Sequence, residues 1–186
     1  IIMQVTYQNP MQRKKFSETQ CPIARSLEYV GEWWSLLIIR DAFHGLKRFD
    51  EFQKSLEIAP NMLTRRLNHL VEQQLLEKVG YSSRPPRFEY HLTEKGRSLY
   101  PVLITLLNWG NHTLGSNAQS VRLVDKQSGE MVHLVMTDRN TGKEITTESH
   151  RIVPGPEASD AMRERLQRIP APTESRFINQ KEASDA

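Results

Sequence analysis

Large apolar side chains are spread so unevenly along this chain that its main core can lie in only one place. Up to Gly115 stand every Trp (Trp33, Trp34 and Trp109), every Tyr and all but one Phe; beyond it only Phe177 remains. Packed cores are built around such side chains, so the stretch before Gly115 holds the core and the remainder is an appendage. Composition shifts again near Pro154-Gly155-Pro156. The expected organisation is an N-terminal arm (1–17), a core domain (18–115), a small alternating unit (116–156), and a short charged helix with a mobile tail (157–186).

Several classes of protein are excluded early. Cys21 is the one cysteine, which removes an intramolecular disulfide framework and any all-cysteine zinc site. It suits a reducing compartment. The longest apolar run, Leu36-Leu37-Ile38-Ile39, ends at Arg40-Asp41, far short of a membrane span. Ile1-Ile2-Met3-Gln4 lacks a basic secretory n-region, so a cytoplasmic location is expected. The chain has no G-x-S-x-G, H-E-x-x-H, P-loop or dinucleotide fingerprint, and its six histidines are scattered. An enzyme is therefore not expected, nor a bound metal or other cofactor. With 25 Lys and Arg against 22 acids, the net charge of +3 permits an anionic partner without requiring one.

Within the core domain the apolar spacing changes character once. Cys21-Pro22 leads into Ile23, Leu27 and Val30 at helical spacing, with Pro22 suited to a first turn. Further helices are expected over about Trp33–Phe43, Phe49–Leu56 and 60–74. Then Leu75 to Tyr81 reads as a strand, Ser82 to Arg87 as a proline-containing loop, and Phe88 to Leu92 as an alternating return strand. Thr93 is the N-cap of a last long helix, which Pro101 should kink or split.

Four helices, a two-stranded wing and another helix make the plan of a winged helix-turn-helix. In the fourth helix Leu63, Leu67, Leu70 and Gln74 cluster on one side, while Asn61, Arg65 and Asn68 point roughly opposite. No acid occurs from Ile58 through Val71. Such a face has donors suited to base edges in a major groove; the alternative is an ordinary solvated polar face. The wing carries Arg84 and Arg87 around Pro85-Pro86, placed to meet phosphate or a minor groove, or to serve solubility alone. Arg48 and Arg66 are further candidates for phosphate, Arg66 lying nearest the buried seam. Asn61, Thr64, Arg65 and Asn68 are the candidates for base or groove contact.

The residues from about Cys21 to Gly110 resemble the HxlR family of MarR-like bacterial winged-helix regulators. The resemblance rests on Cys21-Pro22-Ile23, Trp34-Ser35-Leu36-Leu37-Ile38-Ile39-Arg40-Asp41 and Gly45-Leu46-Lys47-Arg48-Phe49-Asp50-Glu51-Phe52. It continues through Leu63-Thr64-Arg65-Arg66-Leu67 and Pro86-Arg87-Phe88-Glu89-Tyr90-His91-Leu92-Thr93-Glu94-Lys95-Gly96. Trp33 departs from the pattern, standing where many members carry a basic residue. The resemblance implies a homodimer; the function expected of it is that of a regulator, a repressor rather than an activator, binding a pseudo-palindromic operator in double-stranded DNA. It also implies a small-molecule or oxidant effector, with Cys21 the candidate sensor; a packed cysteine at a helix start is the other reading.

The sequence gives its own reason for a dimer. Leu99, Leu103, Leu106, Leu107 and Trp109, with their apolar neighbours, surround the last helix rather than marking one face. A second chain would cover that surplus, and the resemblance implies that the first helix, with Ile23 and Leu27, pairs with the last across the two-fold; the C-terminal segment is the alternative cover. The expected fold class is thus α+β: a winged helix-turn-helix with a C-terminal dimerisation helix, followed by a small antiparallel β-meander. The meander is drawn from alternation across Val121–Val153 and two D-x-x-[ST]-G turns, Asp125 to Gly129 and Asp138 to Gly142. These resemble zinc-ribbon knuckles with every cysteine replaced, so no metal is expected there. Transcription regulation is the function expected of the whole; a winged-helix protein–protein module without DNA binding is the alternative.

Overall fold

The computed structural model describes residues 16, 18–114 and 120–168. The expected arm over 1–17, save Phe16, and the expected tail beyond residue 168 lie outside the described residues. The chain divides into two compact units, Ile1–Ser120 and Val121–Ala186.

In the first unit the elements run α1 (Pro22–Val30), α2 (Trp33–Phe43), α3 (Phe49–Leu56), α4 (Pro60–Glu72), β1 (Leu76–Ser83), β2 (Pro86–Leu92), α5 (Glu94–Arg97) and α6 (Tyr100–Thr113). The core draws on α1 through β2, with Val30 the contribution of α1. Ile38, Ile39, Phe52, Leu63, Leu67 and Leu70 are fully buried, and Leu75 and Leu76 nearly so. Pro22 and Pro60 open their helices within the first turn, where a missing N–H leaves no hydrogen bond unmade. A capping box starts α3: the Glu51 carboxylate accepts from the backbone N–H groups of Lys47 and Arg48, at 2.8 and 2.9 Å. Those two bonds hold the Glu51 carboxyl below its usual range.

Two expected boundaries move, and one expected break forms. Helix α4 stops at Glu72, and Gln74 has φ 58°, a left-handed turn that removes it from the leucine seam. The wing strands pair as far as Ser83 with Pro86, so the expected loop over 82–87 shrinks to Arg84-Pro85. Pro86 fits because a strand's first residue needs no ladder N–H. The last helix splits: α5 ends at Arg97, and Pro101 falls in the first turn of α6.

The motif Thr93-Glu94-Lys95-Gly96 explains how α5 docks on the wing. Thr93 Oγ1 accepts the Gly96 N–H at 3.0 Å and donates to the Gln74 carbonyl at 2.6 Å. Gly96 is buried against the residue that leads into β1, where a Cβ would stand 2.1 Å from the Leu75 carbonyl oxygen. Only glycine allows that approach.

The second unit corrects the expected meander. Its two turns form where the D-x-x-[ST]-G motifs lie, and Gly129 and Gly142 take φ values of 72° and 68°. Each turn is closed by a single antiparallel bridge, Val124 with Met131 and Thr137 with Glu144, and no ladder follows. The reason is that none of the described residues there is buried, so no sheet face has a core to pack against. Asp125 accepts from the N–H groups of Gln127 and Ser128, and Asp138 from Asn140 N–H and Thr141 Oγ1. Both carboxyls are thereby held below the usual range, chiefly by the backbone bonds from Ser128 and Asn140 respectively. A short helix, α7 (Asp160–Gln167), begins with Ser159 Oγ capping Met162 N–H.

Candidate nucleic-acid interface

Helices α3 and α4 meet through Glu57-Ile58-Ala59. Glu57 takes φ 50°, which turns the chain sharply, and buried Ile58 pins the turn to the core. The seam of Leu63, Leu67 and Leu70 then fixes the rotation of α4 about its own axis. With those three inward, Asn61, Thr64, Arg65 and Asn68 are all exposed on the outer side. Two of them are already steadied from within: Thr64 Oγ1 donates to the Pro60 carbonyl at 2.9 Å, and an Arg65 guanidinium N–H reaches Met62 Sδ at 3.1 Å.

Arg66 is placed differently. Its side chain is only 12% exposed and its Nη2 lies 3.0 Å from Glu32 Oε2, an ion pair between α4 and the start of α2. Its first partner is a carboxylate of this chain, although it also borders the open space in front of α4. The cause is its helical position beside the seam, where a long cation reaches inward to the neighbouring helix.

Arg48 links the helix-turn-helix to the wing. Its Nε stands 3.3 Å from Glu89 Oε1, its guanidinium lies over the Tyr81 ring at 5.0 Å, and its backbone bridges to Glu89. The adjacent Tyr90 N–H donates to the Lys47 carbonyl at 2.8 Å, which adds a third short edge to the sheet. The Glu89 hydrogen bond raises the Arg48 pKa further. Arg48 is half exposed, with the wing as its first partner and phosphate at most its second. Arg84 and Arg87 are exposed on the wing. The Lys78 ammonium, which the sequence reading passed over, lies 4.0 Å above the Phe88 ring on the same hairpin.

The outer side of α4 forms one wall of an open concavity of about 1120 Å³, whose other wall is Trp33 and Trp34 at the start of α2. His69 also lines it, with Nε2 3.3 Å from the Tyr29 carbonyl; since a carbonyl only accepts, that nitrogen carries the hydrogen. Sequence reasoning marked Trp33 only as a departure from a pattern. The signal that could have found it is an aromatic pair opening a helix that packs on α4.

Of the residues expected to dimerise, Ile23 and Leu27 on α1 and Leu106 and Trp109 on α6 are exposed, whereas Leu99 and Leu103 pack against this chain's own core. Leu107 is half-buried. Cys21 is partly exposed at the N-cap of α1, and its carbonyl accepts the Arg25 N–H at 3.0 Å. Among the described residues no group of His, Cys, Asp or Glu is arranged to hold a metal ion, and no helix is long and apolar enough to cross a membrane.

This geometry has counterparts. Residues 29–118 match the family described as HxlR-like helix-turn-helix. An uncharacterized HTH-type transcriptional regulator of Mycobacterium tuberculosis is 39% identical over 135 residues, spanning 72% of this chain and 85% of the relative. Among solved structures, PA1374 from Pseudomonas aeruginosa, assigned as a transcription factor, is 52% identical with a TM-score of 0.58. It covers 78% of this chain and all of its own. PA1607, likewise assigned, is 40% identical, with a TM-score of 0.69 over 76% of this chain and all of that one.

Proposed function

Since the chain belongs to the HxlR-like helix-turn-helix family, and is a transcription regulator rather than an enzyme, we propose that it is a cytoplasmic, homodimeric, sequence-specific repressor. One observation carries the reading. The leucine seam of α4 is fully buried, so an acid-free face of Asn61, Thr64, Arg65 and Asn68 is presented outward in one fixed orientation. In this reading α4 enters the major groove and those four side chains meet base edges. Arg84 and Arg87 grip the flanking backbone, while Arg48 holds the wing in register with the helix-turn-helix.

The dimer is supported by exposed apolar side chains on two helices of the first unit. Ile23 and Leu27 on α1, and Val102, Leu106 and Trp109 on α6, are each about half exposed or more. A second copy related by a two-fold axis covers them and repeats α4 at about 34–36 Å or a multiple. The operator is then pseudo-palindromic. Two places could admit an effector: Cys21 for an oxidant, and a cavity of about 330 Å³ lined by Arg25, Tyr29, Lys95 and Leu99 for a small molecule.

Selection of duplexes from a random pool at fixed salt, followed by a reporter assay with the recovered site upstream, tests this reading. The expected result is an inverted-repeat motif and lowered reporter output. A pool that returns no enriched motif refutes specific DNA binding and favours a protein–protein module. Sedimentation should give a dimer for the wild type and a monomer for Leu106→Glu; a monomeric wild type refutes the two-fold arrangement.

A further inference from the structure

Trp33 is the most exposed large apolar side chain among the described residues of the first unit. It opens α2 with 75% of its surface exposed, an arrangement that leaves a large apolar ring in water. Its neighbour Trp34 packs against the core, and the two rings meet edge to face at 6.4 Å and 74°. That contact backs the Trp33 ring with an anchored one. Trp33 lines the same concavity as Asn61, Thr64, Arg65, Asn68 and His69. The indole is thus a wall beside the outer face of α4, with one N–H donor and no charge.

Two carboxylates border the concavity. Glu32 is paired with Arg66 at 3.0 Å, so its charge is compensated, and Glu72 ends α4. With Glu32 compensated, that flank offers room for an anionic strand.

We infer that Trp33 packs on the sugar–phosphate strand bordering the major groove that α4 occupies, with its flat face on deoxyribose and its Nε1–H donated to a phosphate oxygen. This rests on the DNA-binding reading above. It makes Trp33 a neutral backbone clamp, unlike Arg84 and Arg87, which act through charge.

Charge and neutral contact separate by their salt dependence. Against the duplex selected by the wild-type protein, Trp33→Ala should bind about tenfold more weakly, the loss of roughly one hydrogen bond to a charged acceptor, with the log–log salt slope unchanged. Trp33→Phe should recover part of the loss, since the ring remains without its donor. Trp33→Lys should recover affinity at low salt but steepen the slope by about one unit. Labelling the intact protein with 5-fluorotryptophan supplies a reading independent of any variant's stability. The Trp33 fluorine resonance, identified by its absence in Trp33→Phe, should shift on saturation with the duplex. An unmoved resonance overturns the inference, as does wild-type affinity in Trp33→Ala. Unchanged affinity accompanied by a changed sedimentation coefficient would reassign Trp33 to a protein contact and overturn it too. If the wild type itself binds no duplex, the DNA-binding reading fails and carries this contact with it.

Discussion

Arg66 and Glu32 offer a direct test of which cations on α4 serve structure. The pair spans α2 and α4 at 3.0 Å, with the arginine side chain 12% exposed and the glutamate 29%. Breaking a fully buried pair by removing one partner costs about 3–5 kcal/mol, whereas exposed pairs are worth about 0–1 kcal/mol. This pair lies between, so removing the carboxylate should cost about 1–3 kcal/mol. The two partners are not equivalent. Glu32→Gln strands a guanidinium whose Nε is already buried without a hydrogen-bond partner. Arg66→Met removes that buried donor and leaves a carboxylate nearer to solvent. Urea unfolding with linear extrapolation should therefore find Glu32→Gln the more damaged of the two, with Arg66→Met within about 1 kcal/mol of wild type.

DNA binding supplies the second half of the test. If Arg66 is internal, Arg66→Met keeps the wild-type salt slope, because no condensed counterion is released on its account. A slope lower by about one unit, with stability unchanged, would show that Arg66 leaves Glu32 for phosphate. The reasoning above would then be wrong.

Other residues should fail in distinguishable ways. Arg65→Ala should lose about 1–3 kcal/mol of preference for the selected site while keeping much of its non-specific binding; Arg87→Ala should weaken all duplexes alike and flatten the salt slope by about one unit. Retained site preference in Arg65→Ala would remove α4 as the reading element. Gly96→Ala should lower stability by roughly 1–3 kcal/mol or more, since its Cβ meets the Leu75 carbonyl at 2.1 Å; an unchanged urea midpoint would contradict that contact. Glu51 has a folded pKa below its unfolded value, so its contribution is present above the unfolded pKa and lost as pH falls through the folded one. Glu51→Gln should accordingly be less stable than wild type at neutral pH, and the gap should close in acid; a constant gap would refute the capping role. For Cys21, diamide or a quinone should change DNA affinity in the wild type and not in Cys21→Ser, and equal responses would dismiss it as a sensor.

What was legible in the sequence is what is local. Leu63, Leu67 and Leu70 declare their burial by spacing alone, and Thr93 declares its cap by the residues that follow it. The split at Pro101 was visible for the same reason, since a missing N–H acts within one turn. Gln74 was misjudged because a leucine-like position continues the angular pattern even where the backbone has already turned left-handed. The partner of Arg66 was not legible, because the choice between solvent and Glu32 is made by how α2 packs on α4. Trp33 gave no local signal of its surroundings either, since its concavity exists only once those two helices meet. In the second unit, alternation predicted strands but only burial makes a ladder, and none of the described residues of that unit is buried.

Helix α6 shows how far a pattern can be right about chemistry while mixing its destinations. Its apolar residues do surround it, yet they have two destinations. Leu99, just before it, and Leu103 pack on the core of this chain, while Tyr100, Val102, Leu106 and Trp109 are exposed. None of the 14 residues is fully buried. Val102, Leu106 and Trp109 recur at helical spacings of four and three, so they lie along one stripe, and Ile23 and Leu27 make a shorter stripe of the same kind on α1. The contacts of Leu99 and Leu103 orient α6, and that orientation directs its outer stripe away from the core. A helix held by one edge, with its apolar stripe in water, is poorly secured as a single chain. Covering that stripe with a second copy would make the rigidity of α6, and so the spacing of two α4 helices, a property of the pair.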